Sequence, residues 1–248
     1  MVSFAAEPIV RLGFFSVTNA FLDTLLVDAF LIGLIIAVNK NMSKIPGILQ
    51  NIIEIMTEGF YSLAQSVAGE RAAKIFPFFT SFFIFILVAN WTGLIPGISA
   101  VGFYEDHKLI PFFRAATSDF NVTLALALVS AFATHIMSIN TIGIKGYLSR
   151  YFSLNPIYLF IGFLEITSEI TKVISLSFRL FGNIFAGEIV LGTVATIFAF
   201  LFPLPFLMLE VVVGLVQALV FSMLTMAFMA ILTTPHHEEA KEVSTHAV

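Results

Sequence analysis

Apolar residues come in long blocks along this chain, with the charged residues gathered mostly between them. Blocks at about 17–38, 75–95, 119–140 and 206–232 are each close to the ~20 residues that a helix needs to cross a bilayer. A fifth block runs from about 156 to 200. At 1.5 Å per residue, a helix of that length would reach roughly 65 Å, against a hydrocarbon core of about 30 Å. It must tilt strongly, kink or split into a hairpin, and Gly182–Asn183 is the one turn signal near its middle. The stretch at about 45–67 follows a different rule. Gln50, Asn51, Glu54, Thr57, Glu58, Tyr61 and Gln65 recur on one side, and Ile48, Ile52, Ile55, Met56, Phe60, Leu63 and Val67 lie towards the other. That is the pattern of an amphipathic helix lying in the interface. The expected fold is therefore all-α and membrane-integral, with five transmembrane helices and one interfacial helix. The long tilted helix packs against the last one, and residues 1–248 form a single polytopic domain.

Composition agrees: 58% of residues are hydrophobic and 11% charged, against about 25% charged in soluble domains. A net charge of -4 offers no basic footprint for nucleic acid. With no cysteine, disulfide and zinc-thiolate chemistry are excluded. The N-terminus reads as neither a secretory signal nor an Arg-rich transit peptide. Lys40, Lys44, Arg71, Lys74, Lys145 and Arg150 fall on one face if there are five spans. The positive-inside rule makes that face cytoplasmic, with the N-terminus outside and the tail inside. No internal repeat suggests an inverted-repeat transporter. A bacterial inner membrane, or an organelle membrane after local synthesis, is the expected location.

The polar residues inside the apolar blocks carry the chemistry. In the first block, Asp23 reads as an interfacial residue, whereas Asp28 lies deeper and could line a water-filled vestibule. His135, within 119–140, reads as a hydrogen-bonding group to a neighbouring helix. The tail residues His236, His237 and Glu238 read as solvated. Arg179 is the outlier. An arginine stays protonated in any protein environment, and a charge at bilayer depth usually marks an ion pathway. At helical offsets of three and four it meets Ser175, Leu176, Gly182 and Asn183, none of them anionic. Its counter-charge must come from another helix or another chain.

Glu165, Lys172 and Arg179 are spaced seven apart, so they share a slowly drifting stripe, which argues for one continuous helix over a hairpin. Asn183 extends the stripe. Glu169 and Lys172, three apart, form a candidate salt bridge. Glu188, nine residues beyond Arg179, turns to the opposite side. On the last helix Glu210 and Gln217 share a face, and Glu188 and Glu210 are candidates for a common site suited to a proton relay. Gly182, Ala186, Gly187, Gly192 and Gly214 permit close helix packing. No nucleotide-binding G-x-x-x-x-G-K-[ST] occurs. These features leave three classes open: a proton-conducting membrane subunit, a transporter using Arg179 to hold an anion, and a non-conducting scaffold.

The run SLSFRLFGNIFAGE, Ser175 to Glu188, resembles the signature of subunit a of F-type ATP synthases. The resemblance extends to NWTGLIPG at 90–97, TSDFNVT at 117–123, EITSEITKVISLSFRLFGN in the long helix and QALVFSMLTMAFM at 217–229. It implies a non-catalytic stator subunit without a cofactor, set beside a rotating c-subunit ring and held with peripheral-stalk b subunits. Arg179 would face the ring carboxylate. Asn183, Glu188 and Gln217, with Glu210 beside them, would belong to an outer half-channel. Glu165 and Ser168, with Lys172 near, would belong to an inner one. Some members of the family pair a Glu with a His where this chain has Glu188 and Glu210. That leaves open whether His135 or Asp119 contributes to the outer pathway.

Overall fold

The computed structural model describes residues 7–12, 15–41, 47–95, 97–98, 101–105, 108–152, 156–197 and 202–234. Lys44, Pro46, Pro96 and the tail residues His236, His237 and Glu238 lie outside them. The described elements are a hairpin of β1 (Pro8–Leu12) and β2 (Phe15–Thr18), then α1 (Asn19–Asn41), α2 (Ile48–Ala68), α3 (Ala72–Thr92), and a second hairpin of β3 (Gly102–Glu105) and β4 (Lys108–Pro111). They end with α4 (Phe120–Tyr151), α5 (Pro156–Ile197) and α6 (Pro203–Leu232). Five helical segments are long and apolar enough to cross a membrane.

α5 is one helix from Pro156 to Ile197, with no break at Gly182–Asn183. The seven-residue stripe prevails because a helix keeps its backbone hydrogen bonds internal, which a turn at bilayer depth would not. α2 is the amphipathic element. It joins α3 through a 3-10 turn at Gly69–Arg71, where Gly69 adopts φ 55°. Phe60 and Ala64 of α2 pack on Ile75 and Phe79 of α3 and on Met226 and Met229 of α6, while Ile48, Ile52 and Ile55 stay exposed.

Three features depart from the sequence reading. The first β-hairpin lies in the N-terminal stretch and runs into the start of the block read as the first span, and the second lies in the stretch between the second and third spans. In the second, Gly102 lies so close to the backbone of Ile110 that a Cβ would collide with it, which makes glycine the residue that lets the strands pair. α4 runs well past residue 140. It kinks at Gly143 (φ 80°, ψ 158°) and resumes as a helical segment carrying Lys145 and Arg150, which the sequence places in a loop. Of the two aspartates of α1, the one read as interfacial is the buried one. Asp23 is 1% exposed, and its Oδ2 accepts from Thr92 Oγ1 and Ala116 N, each at 2.9 Å. Asp28 is exposed. A five-residue step turns a helix by about 140°, so the face of α1 that meets α3 carries position 23 outside the reach of position 28.

The core forms where α3, α5 and α6 meet, around Phe82, Phe83, Ile86, Leu176, Leu180, Ile184, Ala218 and Phe221. Apolar burial does not drive helices together in lipid, so close packing and interhelical hydrogen bonds carry the assembly. Asn90 Nδ2 donates to Gly214 O at 2.9 Å, Ser130 and Thr225 pair at 2.8 Å, and Ser138 Oγ donates to Leu232 O at 2.6 Å. Each such bond contributes about 0.6 kcal/mol on average. Both hairpins, the start of α1 and the turn at Ala116–Ser118 gather at one end, here the hairpin end. Arg71 reaches Thr234 and Arg150 reaches Ile231 at the other, basic end.

Candidate functional site

α5 carries the ionisable groups from one end of the molecule to the other. From Glu165 to Glu188 the rise is about 35 Å, and Arg179 lies between them. Arg179 is exposed. Its Nη2 donates to Ser175 Oγ, one turn back, at 3.3 Å. Among the described residues it forms no ion pair. Beside it Gly182 and Ala186 leave the surface of α5 bare of side-chain bulk, and a Cβ on Gly182 would meet nothing. At the seam with α6, Asn183 Nδ2 donates to Gln217 Oε1 at 2.9 Å, which joins two polar groups of different helices next to the arginine.

Towards the hairpin end, Glu188 and Glu210 line one cavity of about 340 Å³ between α3, α5, α6 and the loop before α4. Gly187 makes this possible: the Glu210 carboxylate lies against it, in space that a methyl group would occupy. Arg114 closes the other wall, its Nε and Nη2 donating to Glu188 Oε2 at 3.2 and 3.1 Å. The segment after it is pinned tightly. Thr117 Oγ1 donates to Asn90 Oδ1 at 2.7 Å, and Asp119 caps α4 by accepting from Asn121 N at 2.9 Å. Asp119 is thus at the hairpin end, as a helix cap.

Towards the basic end the groups are interlocked. Glu165 is ion-paired with Arg150 Nε across the α4–α5 seam. Glu169 accepts from Lys172 Nζ at 2.7 Å, as the three-residue spacing predicts, and lies 3.9 Å from His135 Nε2. His135 Nδ1 pairs at 3.1 Å with the Tyr147 hydroxyl, which sits beyond the Gly143 kink. His135 therefore bonds within its own helix as well as facing a neighbour, and it lies towards the opposite end from Glu188 and Glu210. Lys172 also sits 4.8 Å over the Phe228 ring. Ser168 is exposed on α5.

Sequence reasoning missed Arg114, Asn90, Thr117 and Tyr147, and read Arg150 only as an orientation signal. Arg114 carried a faint sign: it is a cation followed immediately by the small, weakly polar run AATS, an unusual setting for a solvated loop charge.

Fold and site together define a polytopic helical membrane protein that carries ionisable groups along its long apolar helices, and such groups in membrane-spanning helices are commonly part of ion pathways. The chain belongs to the ATP synthase A chain family, whose model matches residues 21–230. It is similar to ATP synthase subunit a of Moorella thermoacetica, at 30% identity over 222 residues, which cover 90% of this chain and 94% of that one. It is also similar to the chloroplastic ATP synthase subunit a of Stigeoclonium helveticum, at 35% identity over 220 residues, which cover 87% and 86%. Members of the family are membrane-sector subunits that serve proton transport in ATP synthesis alongside the other synthase subunits, and are not its catalytic chains.

Proposed function

We propose that this chain is the proton-translocating stator of an F-type ATP synthase, with two offset half-channels that meet only through carboxylates of a rotating c-subunit ring. The observation that carries the reading is the position of Arg179. It is a permanent cation on the exposed side of α5, without an acidic partner among the described residues, and lies between polar clusters at opposite ends. A ring carboxylate passing that face supplies the missing anion, and the bare surface at Gly182 and Ala186 lets a ring helix come close. The guanidinium favours the ionised form of the passing carboxylate and repels protons, which blocks a direct leak. Protons enter and leave on different faces, so net passage requires the ring to turn. The membrane potential supplies about 2.3 kcal/mol per charge per 100 mV.

In this reading Glu188, Glu210, Asn183 and Gln217 serve the outer half-channel, with Asp119 at its margin. Glu165, Ser168 and Lys172 serve the inner one, with His135 adjoining. The Arg150–Glu165 pair has to open or exchange for water to reach Glu165. Peripheral-stalk b subunits hold the chain against the ring. The membrane is a bacterial inner membrane or an energy-transducing organelle membrane, with the basic end on the cytoplasmic or equivalent side. Arg179→Ala is expected to abolish ATP synthesis coupled to a proton gradient while the complex still assembles. Coupled synthesis at the wild-type rate in that variant overturns the reading.

A further inference from the structure

The hairpin-end cavity holds two carboxylates with unlike surroundings. Glu188 is clamped by Arg114, whose two nitrogens converge on one oxygen. Arg114 is 7% exposed and lies over the Phe185 ring, 5.9 Å from its centroid. Its loop has little freedom: Ala115 packs on Gly93, Ala116 N is bonded to Asp23, and Thr117 is bonded to Asn90. Glu210 has neither a hydrogen bond nor a cation among the described residues. It is also 7% exposed, and its oxygens open onto the cavity. Of the other acids at this end, Asp23 and Asp119 are engaged by Thr92, Ala116 and Asn121.

We propose that Arg114 is a positioning residue that holds Glu188 as the fixed anion of an ion pair and leaves Glu210 as the carboxylate that takes up and releases the proton. The inference rests on the proton-stator reading above and divides its outer site into two roles. A partly buried carboxylate that accepts two hydrogen bonds from a buried guanidinium gives up much interaction energy if it is protonated. A carboxylate facing a cavity, with a second negative charge nearby and no cation, can alternate between its two forms at much lower cost. The cavity is large enough to hold several waters. These waters would link Glu210 to the outside along Asn90 and the Glu188–Arg114 pair. In the step itself, a cavity hydronium gives its proton to one Glu210 oxygen and leaves water. Glu210 then gives that proton to a water held by Asn183 and Gln217, which passes a proton on to the ring carboxylate, and Glu210 returns to the carboxylate.

The test uses the intact complex in sealed vesicles and measures gradient-driven ATP synthesis together with ATP-driven proton uptake. Arg114→Glu and Glu188→Arg, each alone, are expected to lower proton flux about tenfold or more, the order found when the groups that orient metal ligands are removed. The double exchange Arg114→Glu/Glu188→Arg restores the pair in reverse order and is expected to recover most of the wild-type flux. Glu210→Gln is expected to lose flux about a hundredfold, as for a proton-transfer group, in both the wild-type and the exchanged background. If a single exchange prevents assembly, Arg114→Gln/Glu188→Gln leaves no unpaired charge and is expected to conduct through Glu210. An exchanged or neutral pair as inactive as the single variants, or flux that survives Glu210→Gln, overturns the proposal. If the wild-type vesicles themselves show no coupled flux, or flux indifferent to Arg179→Ala, the stator reading fails instead.

Discussion

Gly187 and Glu210 show how a single position sets the chemistry of the site. Glu210 lies in the space beside Gly187 where any larger residue would put its Cβ. The overlapping atoms are the far end of a flexible side chain, so Gly187→Ala has an easy escape: Glu210 swings away. Alanine also favours the helix over glycine by about 0.5–1 kcal/mol. The complex should therefore assemble and remain stable, while proton flux falls by about a hundredfold, the cost of misplacing a reacting group by roughly an ångström. Flux measurements and thermal stability on the same preparation check both halves. Wild-type flux in this variant would show that Glu210 does not need its present position. At the same scale, the spacing of Glu169 and Lys172 was enough to predict their pair. The spacing of Glu188 said only that it turns away from Arg179, and nothing local pointed to Arg114, 74 positions earlier.

Among the elements, α4 depends most on one backbone torsion. Gly143 sits at φ 80°, ψ 158°, a region essentially closed to residues with a Cβ and costing about 1–3 kcal/mol when they are forced there. The kink directs the final turns so that Tyr147 reaches His135 and Arg150 reaches Glu165. Gly143→Ala should either carry that strain or straighten α4 and break both contacts. Stability should fall by about 1–3 kcal/mol in either case. Gly33→Ala is the control. Gly33 has an ordinary helical torsion and open space around its Cα, so that change should be neutral or mildly stabilising. Thermal or detergent denaturation of the two variants side by side checks the contrast, and equal behaviour would count against a structural role for the kink. α5 is the opposite case, since its stripe was legible over its whole length without any partner.

For the whole molecule, the two ends are chemically distinct. Arg71 binds Thr234, just past α6, Arg150 binds Ile231 in the last turn of α6, and Lys145 lies on the same segment as Arg150. The hairpins and the segment 112–119 occupy the other end. The chain has no cysteine, so any introduced thiol is unique. Lys40→Cys and Lys145→Cys should react with a membrane-impermeant maleimide from the cytoplasmic side, and Val101→Cys from the other side only. All three positions are exposed. Labelling of Val101→Cys and Lys145→Cys from one side would remove the proposed orientation. The positive-inside rule supports this arrangement from loop charge alone.

The sequence by itself determined the class of fold, the number of spanning helices, the continuity of α5 and the isolation of Arg179. All of these follow from periodicity and transfer energetics along one segment, which local composition encodes. It also carried the family likeness, through runs such as RLFGNIFAGE. Tertiary structure alone decided which aspartate of α1 is buried, that α4 continues past its kink, that Arg150 engages Glu165, and that Arg114 closes the cavity shared by Glu188 and Glu210. Each of these depends on side chains brought together from distant parts of the chain. An ion pair across two elements leaves no periodic trace in either, and a torsion that only glycine tolerates looks, in sequence, like any other glycine.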